Sequence, residues 1–201
     1  MKKVSLMILL FTTTIGFSQD MSVIKGGFHN LSDQKEVNVE FNYSDLKLLK
    51  ENLTESQYVQ NRKNELNGKT RGVGDNWQKI WEGAKQGIWQ PKFLELMSAT
   101  ITKKKDILFQ EGLGSAKYTL EVYVLWIYPG WDAGIMKQPA KVTTLLKVVE
   151  TANRKNVLIE VSSEHAPGNQ FGNNFSNESR IGEGFAKTAK SFGKMLASEI
   201  K

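Results

Sequence analysis

The sequence contains no cysteine. No disulfide can staple the fold, no thiolate can serve as nucleophile or metal ligand, and no N-terminal cysteine can carry a lipid. Histidine is nearly as scarce, with only His29 and His165. A metal centre needs three or four converging ligands, so carboxylates would have to supply most of a set, and none stands at a useful spacing from either histidine. No Gly-x-Ser-x-Gly nucleophile elbow occurs. The glycine pairs Gly112-Leu-Gly114 and Gly182-Glu-Gly184 lack the strand–glycine–helix setting of a phosphate loop. No pair of carboxylates stands out for glycoside cleavage. The chain therefore carries no catalytic motif, and neither metal nor cofactor is expected. There is no internal repeat, and no apolar run is long enough to span a bilayer comfortably.

What is present begins with the first residues. Lys2 and Lys3 precede the apolar run Val4-Ser-Leu-Met-Ile-Leu-Leu-Phe11, and a Thr-rich stretch leads to Ser18-Gln19. A basic start, a short apolar run and a polar exit are the parts of a secretory signal peptide. Residues 1–19 are read as that signal, 20–35 as a loose N-terminal segment and 36–201 as a single domain. The mature chain is expected in the periplasm or outside the cell, with no transmembrane segment. Loss of Lys2 and Lys3 lowers the formal charge from +6 to about +4. A surplus this small reads as a solvated surface, and nucleic acid is not an expected partner.

Tyr118-Thr-Leu-Glu-Val-Tyr-Val-Leu-Trp-Ile-Tyr128 organises the remainder. In steps of two, Tyr118, Leu120, Val122, Val124, Trp126 and Tyr128 share one face, the mark of a strand. Val37, Val39, Phe41 and Tyr43 alternate with polar residues and predict a second, half-solvated strand. Residues 46–52 read as a connection with a helical turn. Thr54-Glu-Ser-Gln57 fits a capping box opening a surface helix that Asn67-Gly68 stops. Asp75 reads as the cap of a second helix, with Trp77, Ile80, Trp81 and Ala84 as its stripe. Pro91 forbids smooth continuation and opens a third helix with Phe93, Leu94, Met97 and Ile101 inward. Lys103, Lys104 and Lys105 complement its C-terminal dipole.

Ile107-Leu-Phe109 reads as a short strand. Lys141 to Thr151 and Val157 to Ser162 read as a hairpin across a polar turn, and 164–177 as a long loop. Ile181, Phe185, Ala189, Phe192, Leu196 and Ile200 mark a strongly amphipathic last helix. Gly182, Gly184 and Gly193 would let that helix approach the sheet closely. The expected fold is α+β: a mixed, mostly antiparallel sheet of four to six strands covered by helices, in two or three layers.

The second half resembles a family of Gram-negative envelope domains. It includes the periplasmic domain of the curli secretion pore, the N-terminal domain of TolB and the outer-membrane activators of penicillin-binding proteins. The similar parts are the strand Tyr118 to Tyr128, the Val/Thr-rich strand Val142 to Thr151, the return strand Val157 to Ser162 and the helix Ile181 to Ile200, about the last 90 residues. The sequence departs in lacking the lipid-bearing cysteine and in having Glu150-Thr-Ala-Asn153 where an Asp-x-x-Thr/Gly strand-turn is common. The signal segment and the Asn/Lys-rich mature chain also look like exported Bacteroidetes proteins. The resemblance implies a binding or assembly domain without catalysis.

The candidate binding residues are Trp126, Tyr128, Trp131, Asp132 and His165. Aromatics at a strand end beside a Pro-Gly turn can form a platform for a glycan or a partner protein. Against this stands the plainer reading of Trp126 as core and Trp131 as a cap on the sheet edge. Trp77, Trp81 and Trp89 read as core of the helical layer. The leading expectation is a non-enzymatic accessory domain that binds an envelope protein or glycan. Two alternatives stand beside it: a hydrolase or carbohydrate-processing enzyme whose site forms from loops 129–134 and 164–170, with Asp132, Glu164 and His165, and a carrier of an apolar or sugar ligand. The sequence sets no oligomeric state.

Overall fold

A computed structural model describes residues 19–168 and 176–200. The expected signal segment, but for Gln19, lies outside those residues, as do Asn169, Gly172, Asn173 and Asn174 of the expected loop.

The strands are β1 (Asp20–Gly26), β2 (Glu36–Asn42), β3 (Lys47–Leu48), β4 (Leu53–Thr54), β5 (Leu108–Gln110), β6 (Tyr118–Tyr128), β7 (Trp131–Asp132), β8 (Lys137–Gln138), β9 (Ala140–Glu150) and β10 (Asn153–Gly168). The helices are α1 (Glu55–Lys69), α2 (Val73–Ala84), α3 (Gln90–Met97), the short α4 (Lys103–Lys105) and α5 (Asn177–Glu199). One mixed sheet runs β1-β10-β9-β6-β2-β5, with β3 and β4 added beside the end of β6. The strands from β6 through β9 and β10 to β1 are antiparallel, whereas β2 runs parallel to both β5 and β6. β7 and β8 form a separate small hairpin. The fold is α+β, as the alternation and helical stripes predict, but the sheet has eight strands where four to six were expected, because the short or exposed β1, β3 and β4 carry no readable period.

The core lies between one sheet face and the helices. Leu120, Val122, Val124 and Ile127 of β6 and Val142, Leu146 and Val148 of β9 are buried there, against Ile181, Phe185, Ala189, Phe192 and Leu196 of α5. Ser176 caps α5, its side chain accepting from the Ser179 N–H at 3.1 Å. Gly184 is the glycine that meets the sheet: a Cβ there would stand 2.6 Å from Val142 Cγ2. Gly182 and Gly193, expected to do the same, instead face Ile88 and Thr100 of the helical layer.

The helical layer holds three departures from the sequence reading. Thr54 and Gln57 form the expected capping box, but α2 begins earlier, after Gly72, and Asp75 lies in its first turn. The chain also passes Pro91 without a break. A π-turn at Lys85–Trp89 lets the Gln90 N–H reach the Lys85 carbonyl. Widening the ladder there accommodates a proline that lacks the donor a regular α-turn would use. A second π-turn, Ser98–Thr102, continues toward α4.

Three expected irregular segments are strands. Residues 20–26, read as loose, pair antiparallel with β10 from Asp20↔Glu164 to Gly26↔Ile159. Their exposed, mixed side chains carry no clear alternation because an edge strand has little surface to bury. Residues 47–48, within the stretch 46–52 read as a connection with a helical turn, pair with 53–54 as β3 and β4, and β3 lies parallel to Trp126 and Ile127 of β6. Residues 164–168, read as loop, continue β10.

No described helix covers the other sheet face. Glu40 is exposed, and Glu121, Tyr123, Leu145, Lys147, Glu160 and Ser162 are half-buried along it. No described helix is long and apolar enough to cross a membrane.

Candidate functional site: the aromatic end of the open sheet face

Two bulges decide what this face carries. Val124 pairs with Thr144 and Trp126 with Thr143, so Leu125 is an extra residue in β6. Across β9, Ser163 pairs with Thr144 and Ala166 with Val142, which leaves an extra residue in β10 at Glu164-His165. Each extra residue reverses the in–out phase of the strand beyond it. Ile127 thereby takes the core position, and Trp126 and Tyr128 turn to the open face. The expected common face of Tyr118 through Tyr128 therefore holds only as far as Val124. His165 occupies its bulge at φ 53°, a conformation uncommon for a residue with a Cβ. Its N–H donates to Thr143 Oγ1 at 3.2 Å.

The bulges bring three of the expected residues together. The Trp126 and Tyr128 rings lie nearly parallel, 13° apart in plane and 6.3 Å between centroids. The His165 ring meets Trp126 edge-on at 5.4 Å. Trp131 joins through Gln138, whose Oε1 accepts from Tyr128 OH at 2.9 Å and from Trp131 Nε1 at 3.1 Å. Trp126 Nε1 donates to the Leu49 carbonyl at 2.8 Å, which ties the ring to β3. The phenol and both indole N–H groups of the cluster are thus engaged inside the protein, and Trp131 remains 42 % exposed. Trp126 and Tyr128 are half-buried, between the platform and the core readings.

Asp132 lies on the hairpin beside this cluster. Its Oδ1 accepts from the Gly134 N–H at 2.8 Å and so shapes the hairpin tip. The base of the hairpin is held from the helical layer. Arg180 is buried, and its guanidinium donates to the carbonyls of Pro129 and Gly130, each at 3.2 Å, and to Asn177 Oδ1. Burial pushes the Arg180 pKa down, while the charges of Asp132 and Glu178 oppose that shift. Glu178 is buried beside it, accepting from Trp77 Nε1 at 3.0 Å. Burial pushes the nearby Tyr58 phenol up to about 12. Gly130, at φ 66°, has no space for a side chain: a Cβ would stand 2.4 Å from the Gln138 carbonyl oxygen.

Gln138, Leu49 and Arg180 were not visible as partners of the cluster. Gln138 is one polar residue in a loop-like stretch and leaves no pattern. Arg180 does leave one: a cation in the first turn of a helix opposes the helix dipole, and such a residue must be held there by something else.

The other end of the open face is ionic. Arg154 binds Glu40 in a two-pronged pair, with NH2 to Oε1 at 2.8 Å and NH1 to Oε2 at 2.9 Å, and also donates to Glu121 at 3.1 Å. Tyr123 OH donates to Glu121 at 2.9 Å. Lys147 lies 3.7 Å from Glu160 and 5.4 Å from the centre of the Tyr123 ring. The Arg154 hydrogen bond holds the Glu40 carboxyl below its ordinary range. Among the described residues no three His, Asp or Glu side chains converge on a possible metal position.

No family model matches the chain, and no curated protein matches it. Among solved structures it is similar to the PelC dodecamer from Paraburkholderia phytofirmans, at 9 % identity over 92 % of this chain and 99 % of that one, with a TM-score of 0.39. A point variant of the same protein gives 9 % identity, 92 % and 100 % coverage and a TM-score of 0.38. A likeness this distant carries neither fold nor function across.

Proposed function

We propose that the chain is an exported, non-enzymatic binding or accessory domain of the bacterial cell envelope, and that Trp126, Tyr128, Trp131 and His165 form its ligand surface, with Asp132 shaping the adjoining turn. The observation that carries this reading is the pair of bulges that turns Trp126, Tyr128 and His165 onto one uncovered sheet end. Rings whose polar atoms are already engaged offer their faces without further ordering, the economy typical of binding surfaces built on aromatics. The resemblance of the last 90 residues to envelope domains and the signal-like first residues support the location. An envelope glycan or protein is the ligand class that fits stacked rings beside polar side chains.

The test is retention of solubilised envelope material by the immobilised chain, with Trp126→Ala, Trp131→Ala and, from the ionic end, Glu160→Gln beside it. A discrete glycan or protein held by the parent and by Glu160→Gln, and lost from both tryptophan variants, supports the reading. Retention unchanged by either tryptophan substitution removes it.

A further inference from the structure

The β7–β8 hairpin ends in Gly134-Ile135-Met136, and Ile135 is 102 % and Met136 67 % exposed. Val23 and Ile24 also adjoin at the surface, but on the edge strand β1; Ile135 and Met136 stand at the end of a hairpin, with Trp131 at its base. The tip has satisfied much of its own backbone. The Ala133 N–H donates to the Met136 carbonyl at 2.9 Å, Ile135 N–H to the Ala133 carbonyl at 3.1 Å, and Gly134 N–H to Asp132. A loop whose amides are paired internally can enter an apolar medium without the cost of stripping water from open donors. The hairpin's one acidic side chain, Asp132, is the group drawn into this turn. Lys137 comes directly after the tip, and Lys141 and Lys47 lie opposite Tyr128 and Trp126 on the same sheet end.

We infer that this hairpin docks on a bilayer surface carrying anionic headgroups. Ile135 and Met136 enter the apolar layer, Trp131 sits at headgroup depth, and Lys137, Lys141 and Lys47 face the lipid phosphates. The charge order matches: apolar tip, amphipathic indole, then cations, the sequence found at membrane interfaces. The inference shares Trp131 with the proposed ligand surface but rests on Ile135 and Met136, which take no part in that cluster, so Ile135→Asp separates the two readings.

The experiment uses the full chain with vesicles of phosphatidylethanolamine and phosphatidylglycerol, and with phosphatidylcholine alone. Partitioning is measured by flotation, and tryptophan emission is read with brominated acyl chains as quencher. The expected result is binding to the anionic vesicles, at least about tenfold weaker partitioning for Ile135→Asp, which corresponds to one apolar side chain withdrawn from the layer, and loss of most of the quenching in Trp131→Phe. Because quenching reports where Trp131 sits, it reads the hairpin even if the first residues also tether the chain. Equal partitioning of parent and Ile135→Asp together with quenching unaffected by Trp131→Phe overturns the inference, as does absence of vesicle binding by the parent. Capture of an envelope protein that Ile135→Asp abolishes, without lipid binding, assigns the tip to a protein and overturns it too.

Discussion

The molecule holds two aromatic clusters built from the same residue types for opposite ends. In the helical layer Trp81 packs between Tyr58, Trp77 and Trp89, and Trp89 stacks on Phe185 at 5.7 Å. Their indole N–H groups donate to Glu55, Glu178 and the Glu178 carbonyl, and the Trp81 and Trp89 rings are covered almost completely. At the sheet end Trp126 and Trp131 are hydrogen-bonded in the same way, to Leu49 and Gln138, yet Trp126 is only half-buried and Trp131 is exposed. Hydrogen bonding of the indole tip is therefore no guide to role. What separates the clusters is whether a second layer lies over the ring, and the bulges in β6 and β10 place Trp126 where no described helix does.

The largest contrast is expected in stability. Trp89→Ala should cost about 3–5 kcal/mol, as for other large core aromatics, and Trp131→Ala should stay within about 0.5 kcal/mol, both measured by urea denaturation. Equal losses would mean that the sheet-end cluster is core after all. Next comes the link between the clusters. Arg180→Met leaves the carbonyls of Pro129 and Gly130 without their donor, with an expected loss of about 1–3 kcal/mol. Hydrogen exchange should quicken at residues 131–138 and stay unchanged in α1; uniform acceleration would show that Arg180 supports the whole fold and not the hairpin.

A smaller effect of opposite sign is expected between the bulges. Thr144 is buried, and its hydroxyl has no hydrogen-bond partner among the described residues. Thr144→Val should stabilise by about 1 kcal/mol, the desolvation cost it removes; destabilisation would reveal a polar requirement at that point. The smallest concerns the ionic end. Arg154 keeps the Glu40 pKa below its unfolded value, so the unfolded chain takes up the proton first as pH falls. The stabilisation is complete above the ordinary glutamate value of about 4.3 and disappears as pH drops through the lower folded value. Glu40→Gln should flatten this part of a plot of urea midpoint against pH, and an unaltered acid limb would show that the pair contributes nothing.

Much of the fold was legible. The range of β6, the β9–β10 hairpin, the capping box of α1 and the inward stripe of α5 all come from local period and local chemistry. The parallel placement of β2 beside β5 and β6 was not, because pairing between distant segments leaves no mark on either. β1 escaped because an edge strand with exposed side chains has no period to read. The site was legible in composition and not in geometry. Trp126, Tyr128 and His165 stand out as residues, but uninterrupted alternation puts Trp126 on the same face as Val124. A single unpaired residue at Leu125 reverses that, and no side-chain property of Leu125 announces it.

The pairing of β1 with β10 also has a consequence for the order in which the chain matures. Gln19 bonds to Ser163 across a separation of 144 residues and to Ser191 of α5. During synthesis the first strand of the sheet emerges long before its partner, and the sheet edge stays open until residue 168 has appeared. Long-range closures of this kind are slow to form. The edge pairing of β1 is therefore among the last contacts that a growing chain of this topology can make.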